Sequence, residues 1–195
     1  MHYLTDGPAK AKQTYLFAHG AGGAMDTAFM NDVAQGLAEH GIRVVRFEFP
    51  YMAARRTSNK KGGAPDRQPV LLETFRQVVE EHGGGANVFV GGKSMGGRMA
   101  SMIADEVGAR GLVVFGYPFH PPGKPEQTRT AHLEDLRTPS LILQGTRDAF
   151  GTQDDVARYA LSKAITIQWM DKSDHSLKGR VPEAIQAAAA FMKKL

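Results

Sequence analysis

The pentapeptide Gly92-Lys93-Ser94-Met95-Gly96 has the form G-x-S-x-G, a spacing that suits a serine presented as a nucleophile. A serine hydroxyl attacks poorly alone. It needs a base to take its proton and an acid to orient that base. Candidates for both lie downstream: Asp148, closing Gln144-Gly145-Thr146-Arg147-Asp148, and His175, closing Met170-Asp171-Lys172-Ser173-Asp174-His175. Asp171 and Asp174 compete with Asp148, which is preferred because it directly follows a predicted buried strand, Ser140 to Gly145. Near the start, Tyr15-Leu16-Phe17-Ala18 leads into His19-Gly20-Ala21-Gly22-Gly23, a loop of small residues whose N–H groups suit a developing oxyanion. The chemistry these residues support is nucleophilic attack on a carbonyl. Ser94, Asp148 and His175 are the catalytic candidates, and the backbone N–H groups of Met95, Ala21 and Gly22 the oxyanion candidates.

Such a set works only if the fold positions it. Asn87-Val88-Phe89-Val90-Gly91 reads as a buried strand before the serine, and Gly97 to Gly108 carries Met99, Ala100, Met102, Ile103 and Val107 near helical spacing after it. The glycines relieve the clashes that side chains would meet where a strand turns sharply into a helix. Strands are predicted over 13–18, 42–48, 87–91, 111–116, 140–144 and 165–169, and helices over 26–40, 69–82, 96–108, 152–162 and 181–194. Asp26 suits an N-cap, Gly41 and Gly83 suit positions just past helix ends, and Pro182 suits a first helical turn. Alternating strands and helices imply a single α/β domain over 1–195. The expected form is a three-layer α/β/α sandwich, with a doubly wound, mainly parallel sheet of about six strands. The edge candidate, Ile165-Thr166-Ile167-Gln168-Trp169, alternates as a half-exposed strand does. Pro50 to Pro69 and Tyr117 to Pro139 are the long connections, both emerging where ligands bind, beyond the carboxyl ends of the strands.

Four blocks carry a resemblance: Arg46-Phe47-Glu48-Phe49-Pro50-Tyr51-Met52, Gly91-Gly92-Lys93-Ser94-Met95-Gly96-Gly97-Arg98, Tyr117-Pro118-Phe119-His120-Pro121-Pro122-Gly123-Lys124 and Gln144-Gly145-Thr146-Arg147-Asp148. The chain resembles a compact α/β-hydrolase, similar to the dienelactone-hydrolase-like group. More narrowly, it resembles the small bacterial alpha/beta-family hydrolases related to testis-expressed and NSL-complex-subunit hydrolase-like proteins. The resemblance implies a minimal fold with no cap domain, an open site and a carboxylesterase-like serine hydrolase using Ser94, Asp148 and His175. Met1 to Lys12 is too short for the antiparallel hairpin with which larger relatives begin. Eukaryotic relatives include a chromatin-complex subunit, so a non-catalytic interaction module is the rival class. A thioesterase or acyltransferase on the same triad is the rival chemistry.

Other readings fail on spacing. Gly91-Gly92-Lys93-Ser94 lacks the earlier glycine of a phosphate-binding loop, that position being Asn87, and the dinucleotide fingerprint begun by Gly20 and Gly22 meets Met25. No histidines have metal-ligand spacing, so neither metal nor cofactor is expected. The chain has no cysteine, which removes disulfides and thiol nucleophiles and agrees with a cytoplasmic setting. Its apolar runs are strand-length and the first dozen residues lack a signal-like core, so no membrane partner is expected. Net charge is +4, and Arg55, Arg56, Lys60, Lys61 and Arg67 against Asp66 concentrate that excess between Tyr51 and Gln68. No aromatic residues interleave this cluster, so nucleic acid is not expected. The stretch is either a solvated loop or a flank of the site. In the second case Arg55 and Arg56 would favour an anionic ester. His120 either lines the pocket or packs in a rigid turn, and His19 braces the backbone.

Overall fold

The computed structural model describes residues 1–58 and 63–195. In chain order the elements are β1 (Tyr3–Asp6), β2 (Thr14–Ala18), α1 (Ala28–Glu39), β3 (Arg43–Phe47), α2 (Pro50–Thr57), α3 (Gln68–Glu81), β4 (Val88–Lys93), α4 (Met95–Ile103), β5 (Gly111–Phe115), β6 (Ser140–Gly145), α5 (Gln153–Val156), β7 (Ile165–Met170) and α6 (Val181–Lys194). The strands form one seven-stranded sheet in the order β1-β3-β2-β4-β5-β6-β7. Among the described residues only β1 runs antiparallel to its neighbour.

Side chains that alternate along the strands divide the core in two. Leu16 and Ala18 of β2 join Phe75, Val78, Met99 and Ile103 from α3 and α4 on one face. Tyr15 and Phe17 join Val33, Leu37, Ala184 and Met192 from α1 and α6 on the other. This is the three-layer sandwich that the alternation predicts. Central strands β4, β5 and β6 are buried along almost their whole length, as parallel strands covered on both faces must be. Gly41 and Gly83 follow α1 and α3 with φ of 81° and 90°, the left-handed closure expected of them. No separate cap domain occurs among the described residues, and no helix there is long and apolar enough to cross a membrane.

Five sequence expectations are corrected. The sheet has seven strands rather than about six, because Tyr3–Asp6 pairs with β3 from Tyr3↔Phe47 to Asp6↔Val44. That strand is held by polar tethers that periodicity does not register. Arg46, on β3, meets Asp6 at 2.7 Å, and the Tyr3 hydroxyl donates to Glu81 on α3. Within the basic connection Pro50–Thr57 is helical, started by a proline whose missing N–H costs nothing at a first position. The N-cap of α1 is Thr27 rather than Asp26, which pairs instead with Arg56 at 2.8 Å. Helix 152–162 shrinks to Gln153–Val156. A Thr152–Asp155 capping box starts it. The Ser162 N–H, bonding to the Leu133 carbonyl at 2.9 Å, and the Tyr159 hydroxyl, bonding to Pro125, draw the following chain elsewhere. Helix 96–108 similarly ends at Ile103, and Asp105 then accepts from the Arg137 and Thr138 N–H groups. Lys60 and Lys61 lie outside the described residues.

Arg46 ties three segments together. Its guanidinium reaches Asp6, the Met25 carbonyl at 2.8 Å and Asn31. Because the guanidinium is buried, Arg46→Met should lower the unfolding free energy by about 2–3 kcal/mol, stranding a carboxylate, a carbonyl and an amide together. Equilibrium urea unfolding measures this. A loss below about 0.5 kcal/mol, the range of an ordinary surface change, would show that the tether does not hold the edge of the sheet.

Candidate active site

Ser94 sits between the end of β4 and the first residue of α4 with φ 51° and ψ −115°. A non-glycine residue in this region carries about 1–3 kcal/mol of strain and persists only when its surroundings force it. The surroundings do so by close approach. A Cβ at Gly92 would stand 2.5 Å from the Ala18 carbonyl oxygen, and one at Gly96 would stand 2.6 Å from those of Ala18 and His19. Only glycine lets α4 start this near β2. The Ser94 N–H donates to the Phe115 carbonyl at 3.2 Å, and its own carbonyl accepts from Arg98 at 3.0 Å, so both sides of the turn are bonded.

The strain aims the hydroxyl at a histidine. Ser94 Oγ lies 2.8 Å from His175 Nε2, and His175 Nδ1 lies 2.7 Å from Asp148 Oδ2. A carboxylate oxygen at Nδ1 places the ring proton there and leaves the Nε2 lone pair facing Ser94. Asp148 is fully buried. Its Oδ1 accepts from the Phe150 N–H at 2.8 Å, and its Oδ2 also accepts from Gln144 Nε2 at 2.8 Å. Gln144 is itself locked, its Oε1 accepting from the Tyr117 N–H at 2.8 Å. Phe150 lies against the His175 ring with centroids 4.2 Å apart.

The competing carboxylates have other partners. Asp174 Oδ1 accepts from the Ser176 N–H at 2.9 Å, and Asp171 stands beside Lys172 at 3.9 Å. His19 braces the opposite wall. Its Nε2 accepts from the Phe49 N–H at 3.2 Å, so Nδ1 carries the proton that goes to the Gly20 carbonyl at 2.7 Å. Burial lowers its basicity. The Tyr51 hydroxyl adds a bond to the Ala21 carbonyl at 2.9 Å. Together these hold the 19–23 loop across from α4, where the N–H groups of Met95, Ala21 and Gly22 have no protein acceptor among the described residues.

Three predicted binding residues lie elsewhere. His120 is buried in its turn, Nδ1 2.8 Å from the Pro121 carbonyl and Nε2 3.4 Å from Asp155, and lines neither cleft beside Ser94. Arg55 stacks over the Tyr51 ring at 4.9 Å and donates to the Gly63 carbonyl. Arg56 is bound by Glu48 at 2.7 Å and by Asp26, so its charge is neutralised by those carboxylates. Sequence reasoning in turn overlooked Gln144, Phe150 and Lys93. Gln144 carried a readable signal, since an amide inside a buried apolar strand must find partners. Lys93 carried none. A cleft of ≈ 360 Å³ opens over Ser94 and His175, with Phe29, Met30 and Phe150 among its walls.

A family profile described as an alpha/beta hydrolase domain matches residues 11–193. Solved structures align along nearly the whole chain. An α/β serine hydrolase homologue from Coxiella burnetii is 21% identical, with a TM-score of 0.73 over 99% of this chain and 90% of that one. An α/β serine hydrolase without a lid from Xanthomonas campestris is 20% identical, with a TM-score of 0.73 over 98% of this chain and 88% of that one. A monoacylglycerol lipase from Paleococcus ferrophilus is 15% identical, with a TM-score of 0.77 over 99% and 98% of the two chains. At these identities the likeness is one of fold.

Lys93 lines the cleft that opens over Ser94 and His175. Its ammonium donates to the His175 carbonyl and lies 5.4 Å from the centre of the Phe29 ring. Burial pushes its pKa down to about 8, opposed by the attraction of Asp148 and Asp174. Between about 8 and the ordinary value of 10.5 the unfolded chain holds a proton that the folded chain has released, so folding gains stability as pH rises through that window. The unfolding free energy of the wild type minus that of Lys93→Met should therefore be flat below pH 8 and climb by up to roughly 3 kcal/mol by pH 10.5. Urea titrations at matched pH measure it. A difference that stays level across the window would mean that Lys93 titrates as it does in water.

Proposed function

The chain belongs to the family of alpha/beta hydrolase domains, and on that footing we propose that it is a serine hydrolase cleaving a small carboxylic ester through an acyl-enzyme on Ser94. The observation that carries the reading is the unbroken line of hydrogen bonds from Ser94 Oγ through His175 to Asp148, at 2.8 and 2.7 Å. As Ser94 attacks the ester carbonyl, His175 Nε2 takes its proton, and Asp148 holds the ring tautomer and stabilises the cation formed. The carbonyl oxygen becomes an oxyanion facing the N–H groups of Met95 and Ala21 or Gly22. One such donor is worth about 3–4 kcal/mol in the transition state. The C–O bond to the alcohol then breaks, His175 returning the proton to the leaving oxygen. Water, deprotonated by His175, attacks the acyl-serine, and the acid departs.

The strain at Ser94 and the isolation of Asp148 from water support catalysis over a scaffold role, because neither contributes to folding and both cost stability. The fold-level likeness to proteins described as serine hydrolases and a lipase fits the same reading. With a short-chain 4-nitrophenyl ester, Ser94→Ala and His175→Ala should each lower kcat/KM by about a thousandfold or more. Asp148→Asn should cost about a hundredfold or more, since the amide disturbs both the His175 tautomer and the Gln144 bond. Asp171→Asn, altering an exposed carboxylate, should stay within a few-fold. A mild Ser94→Ala with a folded protein would refute the assignment of the nucleophile, and a damaging Asp171→Asn beside a mild Asp148→Asn would refute that of the acid.

A further inference from the structure

A second cleft, of ≈ 320 Å³, lies beside Ser94 and shares Ala21, Ser94 and Phe150 with the first. The two differ in chemistry. Where the first has Phe29 and Met30, the second has Arg98 and Arg129. An ester lying across Ser94 would therefore meet Phe29 and Met30, with Lys93, at one end and two arginine residues at the other.

Several arginines meet no carboxylate among the described residues, and of these Arg98 and Arg129 are the two that line a cleft beside Ser94. Arg46, Arg56, Arg76, Arg137 and Arg180 each meet a carboxylate within salt-bridge distance. Among the described residues Arg98 and Arg129 meet none. Asn59, Lys60, Lys61 and Gly62, the remaining residues, hold no carboxylate to offer. Arg98 reaches only the neutral amide of Gln68, at 3.3 Å, and its Nε is buried with no partner. Arg129 is pinned through its backbone: its N–H donates to the Phe119 carbonyl at 2.8 Å, and its carbonyl accepts from the Tyr117 hydroxyl at 2.9 Å. The ionisable groups behind them are neutral. Burial first, and Arg98 second, push His132 down to about 4, while burial pushes Tyr117 up to about 12. Burial and then the charge of Arg98 likewise depress Arg129. Two partly buried cations with no counter-ion, beside a nucleophile, are costly unless an anion completes them. The planar, forked guanidinium is the group best shaped to bind a carboxylate or phosphate through paired bonds.

We propose that Arg98 and Arg129 form an oxyanion-group subsite, so that the substrate is an ester carrying a carboxylate or phosphate on one side of the bond that Ser94 attacks. The inference deepens the serine-hydrolase reading and rests on it. It also moves the expected preference for an anionic ester away from Arg55 and Arg56, which line neither cleft beside Ser94.

Matched esters test it. The acyl side is probed by 4-nitrophenyl hydrogen glutarate against its methyl ester. The leaving-group side is probed by the butyrate esters of 4-hydroxybenzoate, of its methyl ester and of 4-hydroxyphenyl phosphate. In the wild type, at least one anionic member should exceed its neutral partner in kcat/KM by about tenfold, the size of one charged hydrogen bond. Which member wins identifies carboxylate or phosphate. Arg129→Gln should reduce that ratio about tenfold, and Arg129→Lys should restore part of it. Arg98→Gln should do the same as Arg129→Gln. Should that variant fail to fold, the Arg129 pair and the salt dependence of the wild-type ratio, which falls as screening rises, carry the test. Hydrolysis of neutral esters with a ratio near unity in every pair, or a ratio unmoved by Arg129→Gln, would overturn the subsite and leave the hydrolase reading standing. Failure to hydrolyse any ester would overturn both.

Discussion

Ser94 is held in a backbone conformation that it would abandon in an unconstrained chain, and the rest of the site follows from what prevents it. Glycine at 92 and 96 lets the first turn of α4 approach the carbonyl end of β2 to a distance that any Cβ would forbid. That contact fixes where β4 must end, which way the serine hydroxyl points and where the free N–H groups of α4 face. It also ties the site to the centre of the sheet, since β2 and β4 are paired neighbours there. The strain is sustained by the burial of the two cores on either side.

A second constraint runs through the buried polar groups at the end of β6. Asp148 is removed from water, and an ionised carboxylate there is tolerable only with its lone pairs filled. The Phe150 N–H, the Gln144 amide and the His175 ring fill them. Gln144 in turn is bonded to the backbone of the 117–139 connection, which also carries Arg129. Asp148, bonded to the His175 ring, and Arg129, placed beside Ser94, thus share one scaffold. The apolar cleft, the charged cleft and the hydrogen-bonded line meet at Ser94.

How much of this the sequence disclosed depends on the range of the interaction concerned. The turn at Ser94 was readable because its steric demand is met by residues within the same pentapeptide. Asp148 was separable from Asp171 and Asp174 because the end of a buried strand is a local property. β1 escaped notice because its four residues owe their place to Arg46 and Glu81, far along the chain. The shortening of helix 152–162 depends on Pro125 and Leu133, again distant partners. Charge misled for a related reason. Arg55 and Arg56 stood out as a cluster but are occupied by Gly63, Glu48 and Asp26, whereas Arg98 and Arg129 drew no attention singly and gain meaning only when the fold brings them to one cleft. Sequence shows where charges are; only the fold shows which of them lack partners.

The proposed chemistry requires Ser94 Oγ to be the atom that forms the covalent bond. Treating the folded protein with a fluorophosphonate, then digesting it and mapping the modified peptide by mass spectrometry, reads that bond directly. A single adduct on the peptide containing Ser94, absent from folded Ser94→Ala and slowed in His175→Ala, is the expected result. An adduct on another residue, or an unmodified Ser94 in folded protein at saturating reagent, would contradict the account.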